Sequence, residues 1–344
     1  MRNALLGVVL ACVAAALGGC ATGSNGPVQS GHLIVIGGAI EDDNARIYKR
    51  LMEYVGERGT ILVVPTASAD ADGAIESKSK ALAMYRTNQQ ILPLRITKET
   101  KYLAYDAATV EAINNASGLF FTGGVQSRIV DVFRPTDPET GEVVTTPARE
   151  AMFNLLRRGG VIAGTSAGAA MMSETMFITG NAQATYDWYS KLNAQQRAAM
   201  HQQFVGSGGF ALGEKAGEDD EKGIAEVGPG MGFLQGAITD SHFIPRRRIL
   251  RLWPMMEIAG ETVGIGVSED AAVDIDLANG DVEAMSKEGV AAAVLLVKDK
   301  SWVVTVMQNG AKAPKWKPGE VMIKAPLEMG EQVPLRVNEL TGKK

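Results

Sequence analysis

Residues 159–176, GGVIAGTSAGAAMMSETM, combine a short apolar run, a cluster of very small residues and a helical pattern. Within this stretch Gly164, Ser166 and Gly168 match G-x-S-x-G, the pattern of a nucleophile elbow. In such an elbow a strained strand-to-helix turn exposes a serine hydroxyl, and the neighbouring positions must be small. The backbone N–H of Ala167 would face a developing oxyanion, aided by the positive end of the helix dipole. Because the pattern also occurs in structural turns, the strand before it and the helix after it favour the catalytic interpretation.

Strands and helices alternate on both sides of this stretch. Continuous apolar runs at 32–38, 60–68 and 118–124 suit strands that are covered on both faces, and helical patterns separate them. The alternation predicts the α/β class, with a mostly parallel sheet and helices on both faces. Many strands end in glycine or small polar residues, and ligands of open α/β sheets bind outside the carboxyl ends of the strands. We therefore expect the functional site at that edge of the sheet.

The composition changes at several points along the chain, which is long enough for one large domain or two small ones. A small polar tether at 20–31 precedes the α/β hydrolytic domain, which extends over 32–270. Residues at about 180–227 interrupt its rhythm with aromatics and a charge run, which predicts an insertion over or beside the active face. From 271 to 344, short strands and turns predict a β-rich extension that flanks the sheet rather than folding alone.

Residues 1–19 have the features of a secretory signal peptide: a positive start, a short apolar run and small residues before the cut. Cys20 at the cut predicts a lipoprotein signal, hence export and a lipid anchor. The outer membrane is favoured, on its periplasmic or cell-surface side. An ordinary signal peptide, which would give a secreted protein, is the alternative. The other cysteine, Cys12, leaves with the leader, so no disulfide is expected.

Charge and composition exclude several classes of partner. The formal net charge of −5 argues against nucleic acid. After the leader, no apolar run is long enough to cross a bilayer. There are no clustered histidine or cysteine ligands for a metal, and Gly37-Gly38 alone is not a dinucleotide fingerprint, so no cofactor is expected.

A serine at its ordinary pKa is a weak nucleophile and needs a base. The chain has three histidines. His32 begins the first strand, at the wrong end of the sheet, and His201 lies in the predicted insertion. His242 follows a predicted strand, where the sheet delivers side chains to the crevice, and is therefore the predicted base.

A carboxylate is expected to orient this imidazole. Glu269 ends the next strand and is the first choice, with Asp240 and Asp270 as alternatives. The chain order of serine, histidine and acid differs from that of α/β hydrolases, which argues against an ordinary esterase or lipase. Gly123 or Gly124, at the end of a neighbouring strand, would supply a second N–H group to the oxyanion.

Four arginines follow the predicted base: Arg246, Arg247, Arg248 and Arg251. Helical spacing would place Arg248 and Arg251 near one face, with Arg247 adjacent to Arg251. Guanidinium groups beside a hydrolytic centre suit a substrate that carries carboxylates, which they can bind through two hydrogen bonds. Positive charge at a helix N-terminus opposes the helix dipole, and a binding role would explain that cost.

Taken together, these residues resemble the cyanophycinase family of serine peptidases, which also contains aspartyl dipeptidase. The resemblance spans nearly the whole α/β body, in family order. The motifs that carry it are Gly37-Gly-Ala39, Phe121-Thr-Gly-Gly-Val-Gln126, Gly164-Thr-Ser-Ala-Gly-Ala169, Pro229-Gly-Met-Gly-Phe233, Asp240-Ser-His-Phe243 and Gly264-Ile-Gly-Val-Ser-Glu269.

The resemblance implies a fold like that of class I glutamine amidotransferases, a homodimer, and a triad of Ser166, His242 and Glu269. It implies an exopeptidase that hydrolyses cyanophycin, a poly-aspartate with arginine on its side-chain carboxyls, to β-aspartyl-arginine dipeptides. Val125 stands where the family usually has Asp or Asn, and Ser268 where Asp is common, which bears on substrate preference. The family's substrate-pocket positions are matched by Gln126, Asp240, Ser241, Arg246, Arg248 and Arg251.

Two other functions stay open at this point. One is a dipeptidase or isoaspartyl peptidase for short acidic peptides, which a site closed by the insertion would favour. An open groove would favour the polymer. The other is a non-catalytic lipoprotein that binds peptides. The intact triad argues against it, because a binding module has no use for a nucleophile, a base and an acid together.

Overall fold

The computed structural model describes residues 30–137, 139–140, 142–211, 223–287, 291–298 and 302–313. The predicted signal peptide, Cys20 and most of the tether lie outside these residues, as does the end of the β-rich extension, 314–344. The α/β class is confirmed, because strands and helices alternate along the chain. The strands form two sheets, however, where the sequence predicted one.

Within the described residues, the larger sheet has eight strands. The first five strands of the chain all belong to it and are parallel. Three strands from the C-terminal part add antiparallel pairs beside the first strand. Across the sheet the order is β14 (Lys312–Ala313), β11 (Val282–Met285), β10 (Ala272–Asp276), β1 (His32–Ile36), β5 (Val161–Thr165), β4 (Gly118–Phe121), β2 (Thr60–Val64) and β3 (Gln90–Pro93).

The smaller sheet has six strands in the same part of the chain. Their order is β13 (Trp302–Gln308), β12 (Ala291–Lys298), β9 (Val263–Val267), β8 (Ile238–Asp240), β6 (Thr175–Thr179) and β7 (Glu226–Pro229). The three neighbouring strands β9, β8 and β6 are parallel, and the others pair antiparallel. Residues 268–271 lead directly from β9 into β10 of the larger sheet. The predicted β-rich extension therefore contributes strands to both sheets.

Nine helices are present in the described residues, and several of them begin with a side-chain cap. The side chains of Asn44, Asp70, Asp106 and Thr146 each accept a hydrogen bond from a backbone N–H group of the first turn. Besides a 3₁₀ turn at Lys101–Tyr105, the helices are α1 (Ala45–Val55), α2 (Ala71–Ala83), α3 (Ala107–Asn115), α4 (Gln126–Phe133), α5 (Pro147–Arg157), α6 (Ala167–Ala170), α7 (Ala182–Tyr189), α8 (Ala194–Ser207) and α9 (Ile249–Ala259).

The apolar runs of the sequence are strands covered on both faces. Along β1, Leu33 and Val35 belong to the largest apolar cluster, whereas Ile34 and Ile36 face the opposite side. That largest cluster joins one face of the larger sheet, helices α3 to α6 and one face of the smaller sheet. Helices α1 and α2 cover the outer face of the larger sheet, and α7 to α9 cover that of the smaller one. Burial on both sides explains why these strands do not alternate apolar and polar residues.

One segment differs from the sequence prediction, and another gains detail. The helix expected to start at Arg246 starts at Ile249, because residues 243–248 form turns and Arg247 has a left-handed backbone with a φ of 52°. The predicted insertion supplies α7 and α8, which pack mainly against α9, and leads into β7. Residues 212–222 of this insertion lie outside the described residues. Among the residues that are described, no helix combines the length and apolarity needed to cross a membrane.

Candidate active site

Ser166 occupies the turn between β5 and α6. Its backbone has a φ of 55° and a ψ of −110°, a conformation that costs a non-glycine residue free energy. A Cβ atom on Gly164 would lie 2.2 Å from the carbonyl oxygen of Gly168, and one on Gly168 would lie 2.6 Å from that of Phe121. Strand and helix therefore touch backbone to backbone, which only glycine permits at both positions. The G-x-S-x-G pattern has the strand–turn–helix context of an elbow.

The two predicted partners of Ser166 are hydrogen-bonded in series. Ser166 Oγ lies 2.9 Å from His242 Nε2, and His242 Nδ1 lies 2.7 Å from Glu269 Oε1. A carboxylate at Nδ1 holds the proton on that nitrogen and leaves Nε2 to accept the serine proton. The structure thus places nucleophile, base and acid in the geometry of a catalytic triad. The two alternative acids, Asp240 and Asp270, accept hydrogen bonds from other groups.

The three residues come from both sheets. Ser166 follows β5 of the larger sheet, His242 follows β8 of the smaller sheet, and Glu269 lies on the segment that connects β9 to β10. The site therefore lies where the two sheets meet, at the carboxyl ends of their parallel strands. This agrees with the general position of ligand sites in α/β proteins.

Gly38 is a site residue that the sequence reasoning did not single out. A Cβ atom on Gly38 would lie 2.3 Å from Cε1 and 2.4 Å from Nε2 of His242, so its backbone packs directly on the imidazole. The preceding residue, Gly37, accepts a hydrogen bond of 2.6 Å from the backbone N–H of His242. The backbone of His242 is left-handed, with a φ of 46°. The pair of glycines after the first strand was the available signal for this contact.

Burial and charge keep the imidazole neutral. Burial lowers the pKa of His242 below its ordinary value, and the positive charges of Arg246 and Arg248 lower it further. The hydrogen bond to Glu269 opposes these effects by favouring the protonated ring. Because the net direction is downward, His242 can accept a proton at neutral pH, which is what a general base requires.

The predicted oxyanion donors lie around the elbow. A Cβ atom on Gly123 would lie 3.4 Å from Ser166 Cβ and 3.9 Å from its Oγ, so the backbone of Gly123 faces the nucleophile. Ala167 is the first residue of α6, where backbone N–H groups point out of the helix. Gly124, with a φ of 139°, is packed against the carbonyl of Ala67. Which of these N–H groups binds an oxyanion stays a prediction.

Of the four arginines after His242, Arg246 and Arg247 are exposed, whereas Arg248 and Arg251 are buried against Asp240. Arg251 donates to Asp240 through Nε, at 2.8 Å, and through Nη2, at 2.7 Å, and Arg248 donates to the same carboxylate at 3.1 Å. Asp240 and Arg251 are each 1% exposed and Arg248 is 3% exposed. Arg251 also donates to the carbonyl of Gly180 at 2.6 Å. The reason is that α9 starts later than predicted, so these guanidinium groups turn inward.

Comparison with known proteins agrees with the site. The sequence model of peptidase family S51 matches residues 33–197. Over this range, just under half of the chain, the sequence is similar to that family. Curated proteins similar to this chain include the cyanophycinase of Trichormus variabilis, 26% identical over 245 residues that cover 69% of this chain and 65% of that protein. The cyanophycinase of Geminocystis herdmanii is 24% identical over 245 residues, 69% of this chain and 71% of that protein.

A solved structure shares the fold of this chain. It is a peptidase from an acI-B1 actinobacterium, with a TM-score of 0.56 and 16% sequence identity. The match covers 83% of this chain and 98% of that one. At this identity the likeness concerns the fold alone. The match to the first curated relative spans about 65% of that relative's length.

Of the six predicted substrate-binding residues, one side chain is exposed. Gln126 is 5% exposed and donates through Nε2 to the carbonyls of Phe177 and Ile178, at 3.0 Å each. Ser241 is buried, and its carbonyl accepts from Arg248 at 3.0 Å. Arg246 is exposed, and its charge acts on His242. Contact with a substrate stays a prediction for all six, and Arg246 is the member best placed for it.

The two departures from the family pattern have different surroundings. Val125 is the residue before α4, at the N-cap position, where its side chain makes no capping hydrogen bond. An Asp or Asn at this position would cap the helix. Ser268 is 6% exposed, and its backbone N–H donates to Ala292 at 2.9 Å. The first departure therefore concerns the start of α4, and the second lies in the connection between the two sheets.

Proposed function

We propose that this chain is a serine exopeptidase that cleaves cyanophycin to β-aspartyl-arginine dipeptides through an acyl-enzyme on Ser166. The observation that supports it most is the hydrogen-bonded series from Glu269 through His242 to Ser166, with the serine on a strained elbow. A structural serine has no need of this arrangement. Resemblance to cyanophycinases supports the choice of substrate.

The proposed mechanism follows from the geometry. His242 Nε2 takes the proton of Ser166 as Oγ attacks the carbonyl carbon of an aspartyl peptide bond. The negative oxygen that forms is bound by the N–H groups of Ala167 and of Gly123 or Gly124. His242 then gives the proton to the leaving amine, and a water molecule, deprotonated by the same imidazole, releases the acyl group. Glu269 stabilises the imidazolium at each stage.

Charge favours an acidic substrate. Arg246 is an exposed cation close enough to His242 to affect its pKa, and a guanidinium binds carboxylates with two parallel hydrogen bonds. Helices α7 and α8 of the insertion pack mainly against α9, the helix that follows the arginine run. An open groove beside them would suit the polymer, and a closed pocket would suit short peptides.

The alternative within the same class is a dipeptidase or isoaspartyl peptidase for short acidic peptides, which would use the same triad and Arg246. The alternative from another class is a peptide-binding lipoprotein without activity. A fluorophosphonate reagent separates the two classes, because it labels only a serine that is activated by its base. Labelling of wild type but not of Ser166→Ala would exclude the binding protein.

The test of the substrate uses insoluble cyanophycin. Purified full-length protein should release β-aspartyl-arginine, detected by mass spectrometry, and Ser166→Ala should release none. A panel of short β-aspartyl peptides is tested in parallel. Cleavage of the short peptides with the polymer left intact would favour the dipeptidase, and no cleavage of either would refute the proposed substrate class.

We further propose export, lipid attachment at Cys20 in the outer membrane, and a homodimer. The support for the first two is the sequence of residues 1–20, and the support for the dimer is the family resemblance. Fatty-acid labelling in cells should mark wild type and not Cys20→Ala. Light scattering of the protein without its leader should give twice the mass of one chain, and a monomer would refute the dimer.

A further inference from the structure

The loop after β1 forms the surface on which the catalytic imidazole rests. Gly37 accepts the backbone N–H of His242, and the backbone of Gly38 packs on its ring. A Cβ at Gly38 would overlap the ring, so there is no space between loop and imidazole. The position of this loop therefore decides where Nε2 points.

Asp270 is hydrogen-bonded to both ends of this loop. Its backbone N–H donates to the carbonyl of Gly38 at 2.9 Å. Its Oδ1 accepts from the backbone N–H of Glu41 and from Asn44 Nδ2, at 2.9 Å each, and Asn44 Nδ2 also reaches the Asp270 carbonyl at 2.9 Å. The other carboxylate oxygen lies 3.1 Å from Nζ of Lys287. One residue thus joins the loop to the segment that carries Glu269.

The backbone at Asp270 is held in an unfavourable conformation. Its φ of 48° lies in the left-handed region, which non-glycine residues adopt at a cost and Asp or Asn adopt more readily than most. Such a conformation persists only where the surroundings hold it. At Asp270 the surroundings are the hydrogen bonds to Gly38, Glu41 and Asn44. Asn44 is 3% exposed and also caps α1, so the same contacts connect the site to that helix.

We propose that Asp270 is a positioning residue for the triad: through the loop at 38–44 and its bond to Glu269 it holds His242 in line with Ser166. The inference rests on the proposed serine hydrolase activity. Asp270 does not touch the reacting atoms. It holds both the surface under the imidazole and the segment that bears its acid, so its loss would displace two contacts of His242 at once.

The direction in which the His242 pKa changes when Asp270 is replaced distinguishes this role from a simple charge effect. Glu269, Arg246 and Arg248 act on the imidazole directly, while Glu41, Asp43 and Lys287 surround Asp270 on the loop side. Removing a negative charge near the site would lower the pKa of His242. Loosening the loop would admit water to the buried ring and raise the pKa toward its ordinary value of about 6.5. The two causes have opposite signs.

The test compares Asp270→Ala and Asp270→Asn with wild type in the full-length protein. The readouts are the rate of fluorophosphonate labelling of Ser166 and the pKa of His242 from the NMR signal of its Cε1–H group. With three histidines in the chain, a His242→Gln spectrum assigns that signal. The matched control is Asp276→Ala, because Asp276 also accepts backbone N–H groups in a turn but lies at the other end of β10.

We expect Asp270→Ala to slow labelling about 10- to 100-fold, since a displacement of about 1 Å can cost about 100-fold in rate. Its His242 pKa should rise. Asp270→Asn keeps an acceptor for Glu41 and should recover most of the rate, and Asp276→Ala should label within about twofold of wild type.

Failure of this inference is separable from failure of the proposed function. No labelling of wild type would refute the proposed hydrolase activity. The role of Asp270 would be refuted if wild type is labelled, Asp270→Ala is labelled at a rate within about twofold of wild type, and its His242 pKa is unchanged. If Asp270→Ala does not fold, Asp270→Gly decides, because glycine adopts the left-handed backbone without strain and the variant lacks only the carboxylate that binds Glu41 and Asn44. A wild-type labelling rate and His242 pKa in Asp270→Gly would then refute the role of Asp270.

Discussion

Replacing Arg251 by methionine tests whether the buried arginines stabilise the fold or serve to bind a substrate. Methionine keeps a long flexible stem and removes the guanidinium. Asp240 then loses two hydrogen bonds, of 2.8 and 2.7 Å, and the carbonyl of Gly180 loses one of 2.6 Å. Arg248 remains as a partner of Asp240 and donates to its Oδ1 at 3.1 Å.

The size of the effect follows from burial. With Asp240 and Arg251 each 1% exposed, water cannot replace the lost partner. Breaking a buried ion pair from one side costs about 3–5 kcal/mol. For a domain of this size each kcal/mol lowers Tm by about 2–4 °C, so Arg251→Met should unfold roughly 6–20 °C below wild type.

The measurement is thermal and urea unfolding of the full chain, with Arg246→Met as matched control. Arg246 is exposed, so the same substitution there should change stability by less than about 0.5 kcal/mol. A double-mutant cycle of Arg251→Met with Asp240→Asn should give an interaction energy of about 0.5–3 kcal/mol. An Arg251→Met protein that unfolds within about 2 °C of wild type, with a raised KM for substrate, would refute the reasoning and favour a role in binding.

Four further outcomes are expected. Since the pKa of His242 is lowered, the acid limb of the kcat/KM profile should lie below pH of about 6.5, and a limb above it would contradict the burial of the ring. As pH falls, His242 takes up a proton in the unfolded chain before it does so in the folded protein. This histidine therefore lowers the free energy of unfolding below about pH 6.5. Urea unfolding of wild type and His242→Gln at a series of pH values measures the effect. Gly38→Ala places a methyl group on the imidazole and should slow fluorophosphonate labelling at least about 10-fold without loss of fold; an unchanged rate would refute the contact. Val125→Asn supplies the missing cap of α4 and should stabilise by about 1 kcal/mol in urea unfolding, with no change expected for Val125→Ala.

Local patterns in the sequence were enough to predict the class of fold and the place of the candidate nucleophile. The elbow at Ser166 is specified by residues within two positions of it, and the alternation of strands and helices is visible in short windows. His242 and Glu269 could be selected because each follows a strand and the chain has few histidines. For these inferences it is enough to know at which end of a strand a residue lies.

Pairings between distant segments could not be predicted in this way. Whether β9 pairs with β12 or joins the larger sheet depends on contacts between segments far apart in the chain, and no short window contains them. The arginines after His242 illustrate the same limit. A run of positive charge usually indicates an exposed surface, and the burial of Arg248 and Arg251 depends on the carboxylate of Asp240 and on where α9 begins. The contact of Gly38 with the imidazole likewise joins residues about two hundred positions apart.

The division of the triad between two sheets has a consequence for biosynthesis. A chain in which only the larger sheet has formed holds Ser166 without its base, and the base arrives only when β8 is in place. The proposed hydrolytic activity therefore requires that both sheets have formed and come together. A rise in reactivity toward phosphonate reagents during refolding would show when the two sheets come together.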